Sequence, residues 1–357
     1  MNLIHKSILK TFLRYMLFTI LAAMILFTLV DLLDNMGSFL DNKATKSMVS
    51  RYYIYKAVWI IDTVLPIAML MATLFTIGGM ARYNELTALF AAGRSLLQIA
   101  RPLLLLAFFM AVFSFTWREF VLPQANIARS RVWENEIHKR PEKIRPTKNI
   151  AVTGEDGRIY FARSFNPNNN VVTGLRVVKT QGAQVSERID AARAEWTGQA
   201  WLLRDGTRRI FEADQEIVIP FEQLEVTYLS LSPRSLYRDR IAPSDMNIRQ
   251  LRKHIDLIRK SGGNVTPNEV DIQFMFAFPA VHLVVVFMGI LLASGPRKTT
   301  IASGFGWTVL ISFGYYLMMN FGRALGHSGS LPPVVAGWSG NALYGVICWF
   351  LFVRARR

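Results

Sequence analysis

Long runs of apolar residues without charges occupy both ends of the 357-residue chain and predict membrane-spanning helices. A helix needs about 20 apolar residues to cross roughly 30 Å of hydrocarbon. Three such runs precede a polar central segment, and three follow it. The six predicted spans are Tyr15–Val30, Thr63–Ala81, Pro102–Trp117, Ile272–Gly295, Thr299–Gly322 and Ser328–Val353. The predicted fold class is therefore an α-helical polytopic membrane protein, with three spans on each side of an insert.

The insert contains short runs of β-favouring residues separated by turn signals, which predict strands rather than helices. Ile150–Thr153 and Ile159–Ala162 are joined by Glu155-Asp156-Gly157, a hairpin signal because glycine accepts the positive φ of tight turns. Further strand-like segments are Val171–Val178, Gln184–Ile189, Ala200–Arg204, Arg209–Glu212 and Ile217–Val226. Turns are predicted between them at Asn166–Asn170 and at Asp205-Gly206. Short strands at this spacing favour an antiparallel sandwich or jelly roll.

Two helical segments flank the strands, at Ala125–His138 and Met246–Lys260. The second repeats apolar residues at helical spacing and is ended by Gly262-Gly263. These apolar residues are Ile248, Leu251, Ile255 and Ile258. The predicted domains are residues 1–123 with spans one to three, residues 124–270 with the β domain and its flanking helices, and residues 271–357 with spans four to six.

Composition and charge agree with a membrane protein, because 52% of the residues are hydrophobic, 18% are charged and the net charge is +16. Lysine and arginine concentrate beside the spans on the side that holds both termini, as at Lys6, Lys10, Arg14 and Arg354. The positive-inside rule therefore predicts cytoplasmic termini. Three spans before the insert then place the β domain in the periplasm of a bacterium. The single cysteine, Cys348, lies in the last span, so no disulfide supports the exported domain.

The sequence contains no GxxxxGK[ST] phosphate loop and no HExxH or Cys/His metal pattern. We therefore expect no catalytic residue, metal or cofactor on this chain, and no nucleic-acid partner. Two ionisable residues of the spans each have two interpretations. His282 is a proton relay or a helix-packing histidine bonded to a neighbour, and Asp62 is a functional intramembrane acid or an interfacial acid. We favour the second interpretation for both.

A short polar segment between the second and third spans, Ala81–Ser95, predicts a small amphipathic helix over about residues 83–94. Asn84 can cap it, Gly93 can end it, and Ser95 with Gln98 forms a capping box for the third span. The residues with candidate roles are Arg82, Glu85, Leu86, Leu89, Phe90, Gly93 and Arg94. The helix is either a surface connector or a coupling helix that seats in a nucleotide-hydrolysing subunit, with Glu85 as its anchor.

A series of motifs runs along the whole chain. They are Leu65–Ala68, Gly78–Arg82, Asn84–Ala88, Ala91–Gly93, Leu122–Gln124, the Met246–Gly263 helix, Phe278-Pro279, Gly295–Arg297 and Leu331–Pro333. In this order the motifs resemble the LptF/LptG permeases of the bacterial lipopolysaccharide exporter. Val30–Leu32 and the short loop after the first span favour the LptG branch.

That resemblance implies the permease of an ABC exporter that extracts lipopolysaccharide from the outer leaflet of the inner membrane and passes it through the β domain toward a periplasmic bridge. The implied partners are a paralogous permease (LptF, if this chain is of the LptG type), two copies of the ATPase LptB, LptC and the bridge protein LptA. ATP and Mg²⁺ would be bound by the ATPase alone. Glu85 and its helix would meet the ATPase, and spans one and five would form lateral gates.

The resemblance also marks two groups of substrate-handling candidates. Arg118, Arg129 and Arg131 would meet substrate phosphates near the outer end of the third span, although a solvated helix face explains them equally. Asp34-Asn35 departs from the basic pair that LptG-type chains often carry after the first span. Small residues on span five permit close approach and sliding of a gate, or ordinary packing. These are Gly304, Gly306, Ser312 and Gly314.

Other functional classes remain open from the residues alone. A gradient-driven transporter of lipids or small molecules needs ionisable residues near mid-membrane, and this chain is poor in them. An intramembrane enzyme needs a catalytic pair at bilayer depth, for which Asp62 has no acidic mate and Ser312 with His282 is only a formal possibility. A non-transporting membrane assembly protein is the third alternative.

Overall fold

The structure is a computed structural model of the chain. It describes residues 3–138, 147–154, 156–166, 169–181, 184–212, 215–229, 231–233, 236, 243–260, 263–295 and 301–355. Of the predicted motif residues, Glu155, Pro167, Asn168, Gly262 and those at 296–299 lie outside these ranges. The chain forms two compact units, which are Met1–Lys139 with Glu269–Arg357, and Arg140–Asn268. The first unit is helical, and the second contains the described strands.

Helices make up the first unit, and the first two of them extend well beyond the predicted spans. They are α1 (Leu3–Asp41), α2 (Lys46–Arg82), α3 (Glu85–Ala91), α4 (Leu96–Thr116), α5 (Leu122–Arg131), α7 (Thr266–Ala293), α8 (Ile301–His327) and α9 (Pro333–Ala355), while α6 (Ile248–Lys260) belongs to the second unit. With 39 residues, α1 is about 58 Å long at a rise of about 1.5 Å per residue. The helices that cross the hydrocarbon therefore also project beyond it.

Among the described residues, five helical segments are long and apolar enough to cross a membrane. They are Leu3–Asp41, Lys46–Arg82, Leu96–Ile137, Thr266–Ala293 and Pro333–Arg354. Helix α8 occupies the predicted fifth span but is not among the five; it carries the polar residues Thr308, Ser312 and Asn320. The predicted fold class, a polytopic helical membrane protein with an inserted β domain, is confirmed.

Helices α4 and α5 belong to one 42-residue helical segment, Leu96–Ile137. Two π-helical stretches interrupt it, at Trp117–Val121 and Val132–Ile137. In the first, the Leu122 N–H donates to the Trp117 carbonyl five residues back. This wider turn accommodates Pro123, whose ring and missing N–H disrupt an ordinary helix. The segment predicted as a separate flanking helix therefore continues the third span, and the compact β unit begins after it rather than at residue 124.

Helices α2 and α7 form the core of the helical unit, because most of their apolar stretches are buried. Helix α1 differs, since it buries only Ile8, Phe12 and Phe39. Its exposed side chains include Leu21 and Ile25. A contiguous apolar face of this length is stable in a membrane when lipid or another protein covers it. The outer helices therefore carry the surface that meets the bilayer and any partner chain.

The second unit contains one antiparallel sheet whose strand order is the chain order. Its strands are β1 (Thr147–Thr153), β2 (Ile159–Asn166), β3 (Val171–Gln181), β4 (Gln184–Trp196), β5 (Trp201–Glu212) and β6 (Gln215–Val226). The all-β insert is confirmed, but its topology is a meander rather than the crossed connections of a jelly roll. Only two to five residues separate consecutive strands, so each strand returns beside its predecessor.

Each of the six strands has one residue that is not paired with a residue of a neighbouring strand. These six residues lie side by side and form one row across the sheet. Its members are Asn149, Arg163, Gly174, Ala192, Asp205 and Glu222. Two of them have positive φ, 64° at Gly174 and 52° at Asp205. The predicted turn at Asp205-Gly206 is therefore a bend within the continuous strand β5, because Asp205 adopts a positive φ without reversing the chain.

Along a strand, the buried residue before this row and the buried residue after it are separated by an odd number of positions. On β2, for example, these residues are Ala162 and Phe165. Side chains of a regular strand alternate between faces, so residues three apart normally point in opposite directions. Here both belong to one apolar core with Tyr160 and Trp201. The strands thus bend together at the row, and a single meander encloses its own core.

Helix α6 covers strands β1 and β2 of the same unit. Its four periodic residues are buried, as their spacing predicts. They are Ile248, Leu251, Ile255 and Ile258. The helix ends near Gly263, whose N–H donates to the Ile258 carbonyl at 2.9 Å. The helical period therefore predicted this face correctly.

Candidate functional site

Helix α3 is the short helix predicted between the second and third spans. Asn84 is its N-cap residue, as predicted, but with a φ of 60° and without a capping hydrogen bond from its side chain. Asparagine serves here because it tolerates the left-handed conformation. Gly93, with φ 78°, ends the helix as predicted, and the Arg94 N–H donates to the Leu89 carbonyl at 3.0 Å.

The predicted capping box begins the next helix. The Gln98 N–H donates to Ser95 Oγ at 3.3 Å, and the Ser95 N–H donates to Gln98 Oε1 at 3.1 Å. Two reciprocal bonds satisfy backbone donors that the first turn of α4 leaves free. The polypeptide on the C-terminal side of α3 is therefore fixed, and the helix has a defined position against the spans.

The two sides of α3 have different roles. Leu86 is 2% exposed and packs into the core of the helical unit, with Leu89 partly buried beside it. Phe90 is 42% exposed, so the predicted single apolar face is divided. Glu85 is exposed and makes no ion pair within the described part of the chain. Arg82, Gly93 and Arg94 are also exposed. The helix is thus anchored through one side and presents the other to the solvent.

A cleft of about 470 Å³ opens beside α3, at the end of the helical unit that holds the N-terminus of α1. Its walls come from α1, α2 and α3 and are mostly apolar, with Ile8, Tyr15 and Phe75 among them. Glu85 is the charged residue that lines it. Thr76 lies in the wall of the cleft, 3% exposed. Nothing in the sequence marks this cleft, because three separate segments build it.

At the opposite end of the spans, which we call the outer end, Arg118 pairs with Asp62. Arg118 Nε lies 3.0 Å from Asp62 Oδ1, and Nη2 lies 2.7 Å from Oδ2. The guanidinium also stacks 3.4 Å from the ring centroid of Phe278 on α7. Asp62 is 3% exposed, so it is the buried partner of an ion pair, which the sequence did not indicate. The pair and the stacked ring join α2, the third span and α7.

Three other cations described at the outer end are likewise paired. The pairs are Arg51–Glu136, Lys56–Asp31 and Arg323–Asp271. Arg129 and Arg131, on the last turn of α5, have no ion pair among the residues that the structure describes. Of the three predicted phosphate contacts, Arg118 is thus neutralised internally. Arg129 and Arg131 remain available to an anion.

His282 is fully buried in α7 and lies 2.9 Å, through Nδ1, from the Pro279 carbonyl of its own helix. This bond agrees with the interpretation of a packing histidine. No acid or second histidine accompanies His282 in its described hydrogen bonds. A relay needs a continuous chain of such groups, so the geometry favours packing.

The small residues predicted for span five differ in their surroundings. Gly314 contacts α9, where an added Cβ would lie 2.7 Å from the Tyr344 hydroxyl, whereas Gly306 faces open space. Gly304 and Ser312 are buried. An added Cβ would come closer still to α9 at Gly322 and at Gly326. Their four-residue spacing is a GxxxG signal that our reading of the sequence missed.

Comparison with known proteins extends over nearly the whole chain. The family model for the lipopolysaccharide export system permease LptF/LptG matches residues 6–354. The lipopolysaccharide export system permease protein LptG of Haemophilus influenzae is 23% identical over 317 residues, which are 83% of this chain and 83% of that protein. The match includes both groups of spans and the β domain between them.

Proposed function

The chain belongs to the LptF/LptG family of lipopolysaccharide export permeases, and from that premise we propose that it is an LptG-type permease subunit of an ATP-driven exporter. The family and the apolar helices make it a multi-pass protein of the bacterial inner membrane. In this proposal both termini are cytoplasmic, and the β domain is periplasmic. The chain draws lipopolysaccharide from the outer leaflet and passes it through the β domain toward a periplasmic bridge.

The construction of α3 carries the proposal. The chain has no phosphate loop, so the energy for lifting a multi-acyl lipid comes from a partner ATPase. Such a partner needs a rigid contact at the cytoplasmic end of the spans. Helix α3 supplies it, because the burial of Leu86 and the helix end at Gly93 fix the helix, while Glu85 stays exposed and unpaired within the described chain. An exposed acid on a fixed helix favours a basic residue of the partner.

The outer helices supply the remaining parts of the transporter. Helices α1 and α8 have long exposed apolar faces, which suit lateral gates and contact with a paralogous permease of the LptF type. Arg129 and Arg131 supply cations for the phosphates of lipid A. LptC and the bridge protein LptA receive the lipid beyond the β domain. The LptG assignment rests on the LptG relative and on Val30–Leu32.

Co-purification tests the proposal. The chain is isolated in mild detergent from its own host, and the ATPase recovered with it is quantified. We expect Glu85→Arg to lower that recovery at least tenfold, because like charges then face each other across the contact. Asp41→Arg is the matched control, since Asp41 is an exposed acid at the far end of α1. Full recovery with Glu85→Arg, or no ATPase with the wild-type chain, would overturn the proposal.

A further inference from the structure

We propose that the exposed side of helix α6 binds anionic phospholipid headgroups, in the membrane leaflet on the side of the β unit. We call this side the basic face and define it by Arg249, Arg252, Lys253 and Arg259. The inference goes beyond the proposed function, because it concerns the bilayer itself rather than the transported lipid or the source of energy. Charge, rigidity and the length of the connection to α7 support it.

Cations dominate the exposed side of α6. Among the side chains that the structure describes on this helix, six are exposed, of which four are basic, one is acidic and one is neutral. They are Arg249, Arg252, Lys253, Arg259, Asp256 and Gln250. Asp256 pairs with Arg259 at 3.3 Å. The other three cations have no ion pair within the described part of the chain, so the basic face has a net positive charge.

The arginines of the sheet in the same unit behave differently. Six arginines of β3, β4 and β5 pair with acids of the sheet. They are Arg176, Arg188, Arg193, Arg204, Arg208 and Arg209. Pairs of this kind within one fold cancel most of the charge that a ligand would meet. The uncompensated charge of α6 therefore suits an anion from outside the chain.

Helix α6 holds these cations on a rigid support. Its apolar side, with Leu251 and Ile255, is buried and covers β1 and β2. Its N-terminus has a capping box, in which the Gln250 N–H donates to Asn247 Oδ1 at 2.9 Å and the Asn247 N–H donates to Gln250 Oε1 at 3.1 Å. A basic amphipathic helix usually inserts its apolar side into the membrane interface. That side is occupied here, so α6 would bind by charge alone.

The connection to the membrane is short. Only residues 261–265 separate α6 from α7, and such a segment spans at most about 20 Å. The Gly263 N–H donates to the Ile258 carbonyl at 2.9 Å, and Asn264 Oδ1 accepts from the Thr266 N–H at 3.0 Å, so the segment also closes both helix ends. A tether of this length presents the basic face to the headgroups at a high effective concentration.

The shape of the basic face favours a lipid surface over a single bound molecule. Its cations project from the outside of a helix, which is convex, whereas a site for one defined ligand is concave. A leaflet presents many phosphates at variable positions, and each basic side chain near it adds to the attraction. We therefore assign the contact to bulk anionic phospholipid, such as phosphatidylglycerol, and not to one lipopolysaccharide molecule in transit.

Fluorescence quenching in nanodiscs is the main test. The full chain with Asp256→Cys and Cys348→Ser is labelled on α6 and placed in phosphatidylcholine, with or without phosphatidylglycerol. A fixed small fraction of phosphatidylcholine with a nitroxide headgroup quenches the label when α6 lies at the headgroups. We expect phosphatidylglycerol to raise the quenching at least threefold. Salt at about 1 M, where the Debye length is about 3 Å, should remove this increase.

Three double variants on the same labelled background locate the effect. Arg249→Glu with Arg252→Glu should abolish the increase, and Arg249→Lys with Arg252→Lys should keep most of it, because the charges remain. Arg129→Glu with Arg131→Glu is the matched control, since it changes the net charge equally but on α5. We expect it to leave the increase unchanged. The α6 residues are exposed, so these variants should fold, and an unchanged midpoint of thermal unfolding checks this.

Several outcomes would overturn the lipid contact. Quenching that does not respond to phosphatidylglycerol would leave the basic face solvated or reserved for an acidic protein. Equal loss in the α5 variant would mean that net charge, rather than α6, attracts the lipid. If Arg249→Glu with Arg252→Glu instead abolished the stimulation of ATP hydrolysis by lipopolysaccharide in detergent, the basic face would belong to the transported lipid. Absence of a copurifying ATPase would refute the proposed function and leave this contact standing.

Discussion

Arginine–aspartate pairs occur in both compact units, in contrasting surroundings. In the helical unit, Asp62 is 3% exposed and accepts both of its hydrogen bonds from Arg118. In the β unit, the Asp190 side chain is 29% exposed and accepts bonds from Arg176 Nε at 2.7 Å and Arg188 Nε at 2.6 Å. Burial raises the pKa of the Asp190 carboxyl, but the bonds from Arg188 and Arg176 more than offset it, so the pKa lies below its usual value.

The difference shows which arginines of this chain are structural. A buried charge whose partner is removed remains desolvated and uncompensated, whereas water replaces the partner of a surface charge. Arg118 therefore belongs to the framework of the spans. Arg176 and Arg188 contribute modestly to the sheet. Arg129 and Arg131 have no acid among the described residues, so their charges are free to meet a ligand.

The largest effect is expected from Asp62→Ala. Removing one partner of a buried pair typically costs about 3–5 kcal/mol, because the remaining charge is left without compensation. Arg118 would keep only the Phe278 ring. We expect a large fall in the midpoint of thermal unfolding of the detergent-purified chain, and reduced amounts in the membrane.

The double variant Asp62→Asn with Arg118→Gln is the control for this prediction. It removes both charges and keeps similar volumes, so we expect less than half the loss of the single variant. Such non-additivity is the signature of a direct interaction. A double variant as unstable as the sum of its single variants would show that the two residues do not act as a pair.

The sequence predicts those features that depend on local patterns. Apolar runs locate the spans, the spacing of Ile248 to Ile258 locates the face of α6, and Gly93 locates the end of α3. The Asp205-Gly206 pair signals an unusual backbone angle, yet the sequence does not tell a turn from a bend within a strand. That outcome depends on whether the neighbouring strands bend at the same row.

Contacts between residues that are far apart in the sequence cannot be predicted from local patterns. Asp62 and Arg118 are 56 residues apart, and each looks like an isolated charge at the edge of an apolar run. Whether the two meet depends on helix rotation, which the π-helical stretch at Trp117–Val121 changes. The cleft beside α3 depends in the same way on three helices whose packing no local pattern specifies.

A smaller effect is expected from Asp190→Asn. A partly exposed pair contributes about 0.2–1 kcal/mol, so the variant should unfold only slightly earlier near neutral pH. The sign follows from the lowered pKa. The stabilising charge is fully present above the ordinary carboxyl pKa of about 3.9 and is lost as the pH falls through the lower folded value.

Thermal unfolding of the full chain between pH 3 and pH 7 checks this prediction. The difference between wild type and Asp190→Asn should be constant near neutral pH and should shrink below about pH 4, because only the wild type loses a charge there. A difference that persists in acid would mean that Asp190 acts through packing or neutral hydrogen bonds. In that case Asp190 and Asp62 would differ in burial, but the charge of Asp190 would not contribute to stability.

The smallest effect on stability, and a large effect on transport, is expected from Arg129→Glu combined with Arg131→Glu. Neither arginine has an acid to lose within the described chain, so the stability should change by less than about 0.5 kcal/mol. If both meet substrate phosphates, the reversed charges should repel lipopolysaccharide. The stimulation of ATP hydrolysis by added lipopolysaccharide in the purified complex should then fall at least fivefold.

Arg249→Glu combined with Arg252→Glu is the matched control, because it makes the same change in charge on the exposed face of α6. If lipopolysaccharide still stimulates ATP hydrolysis in this control but not in the Arg129→Glu, Arg131→Glu variant, the loss reflects a phosphate contact rather than a general change in electrostatic potential. Equal loss in both variants would mean that net charge, rather than the position of Arg129 and Arg131, governs the response. If the α5 variant is stimulated as strongly as the wild type, these arginines do not contact the substrate. The lack of an ion-pair partner would then not identify the functional arginines of this chain.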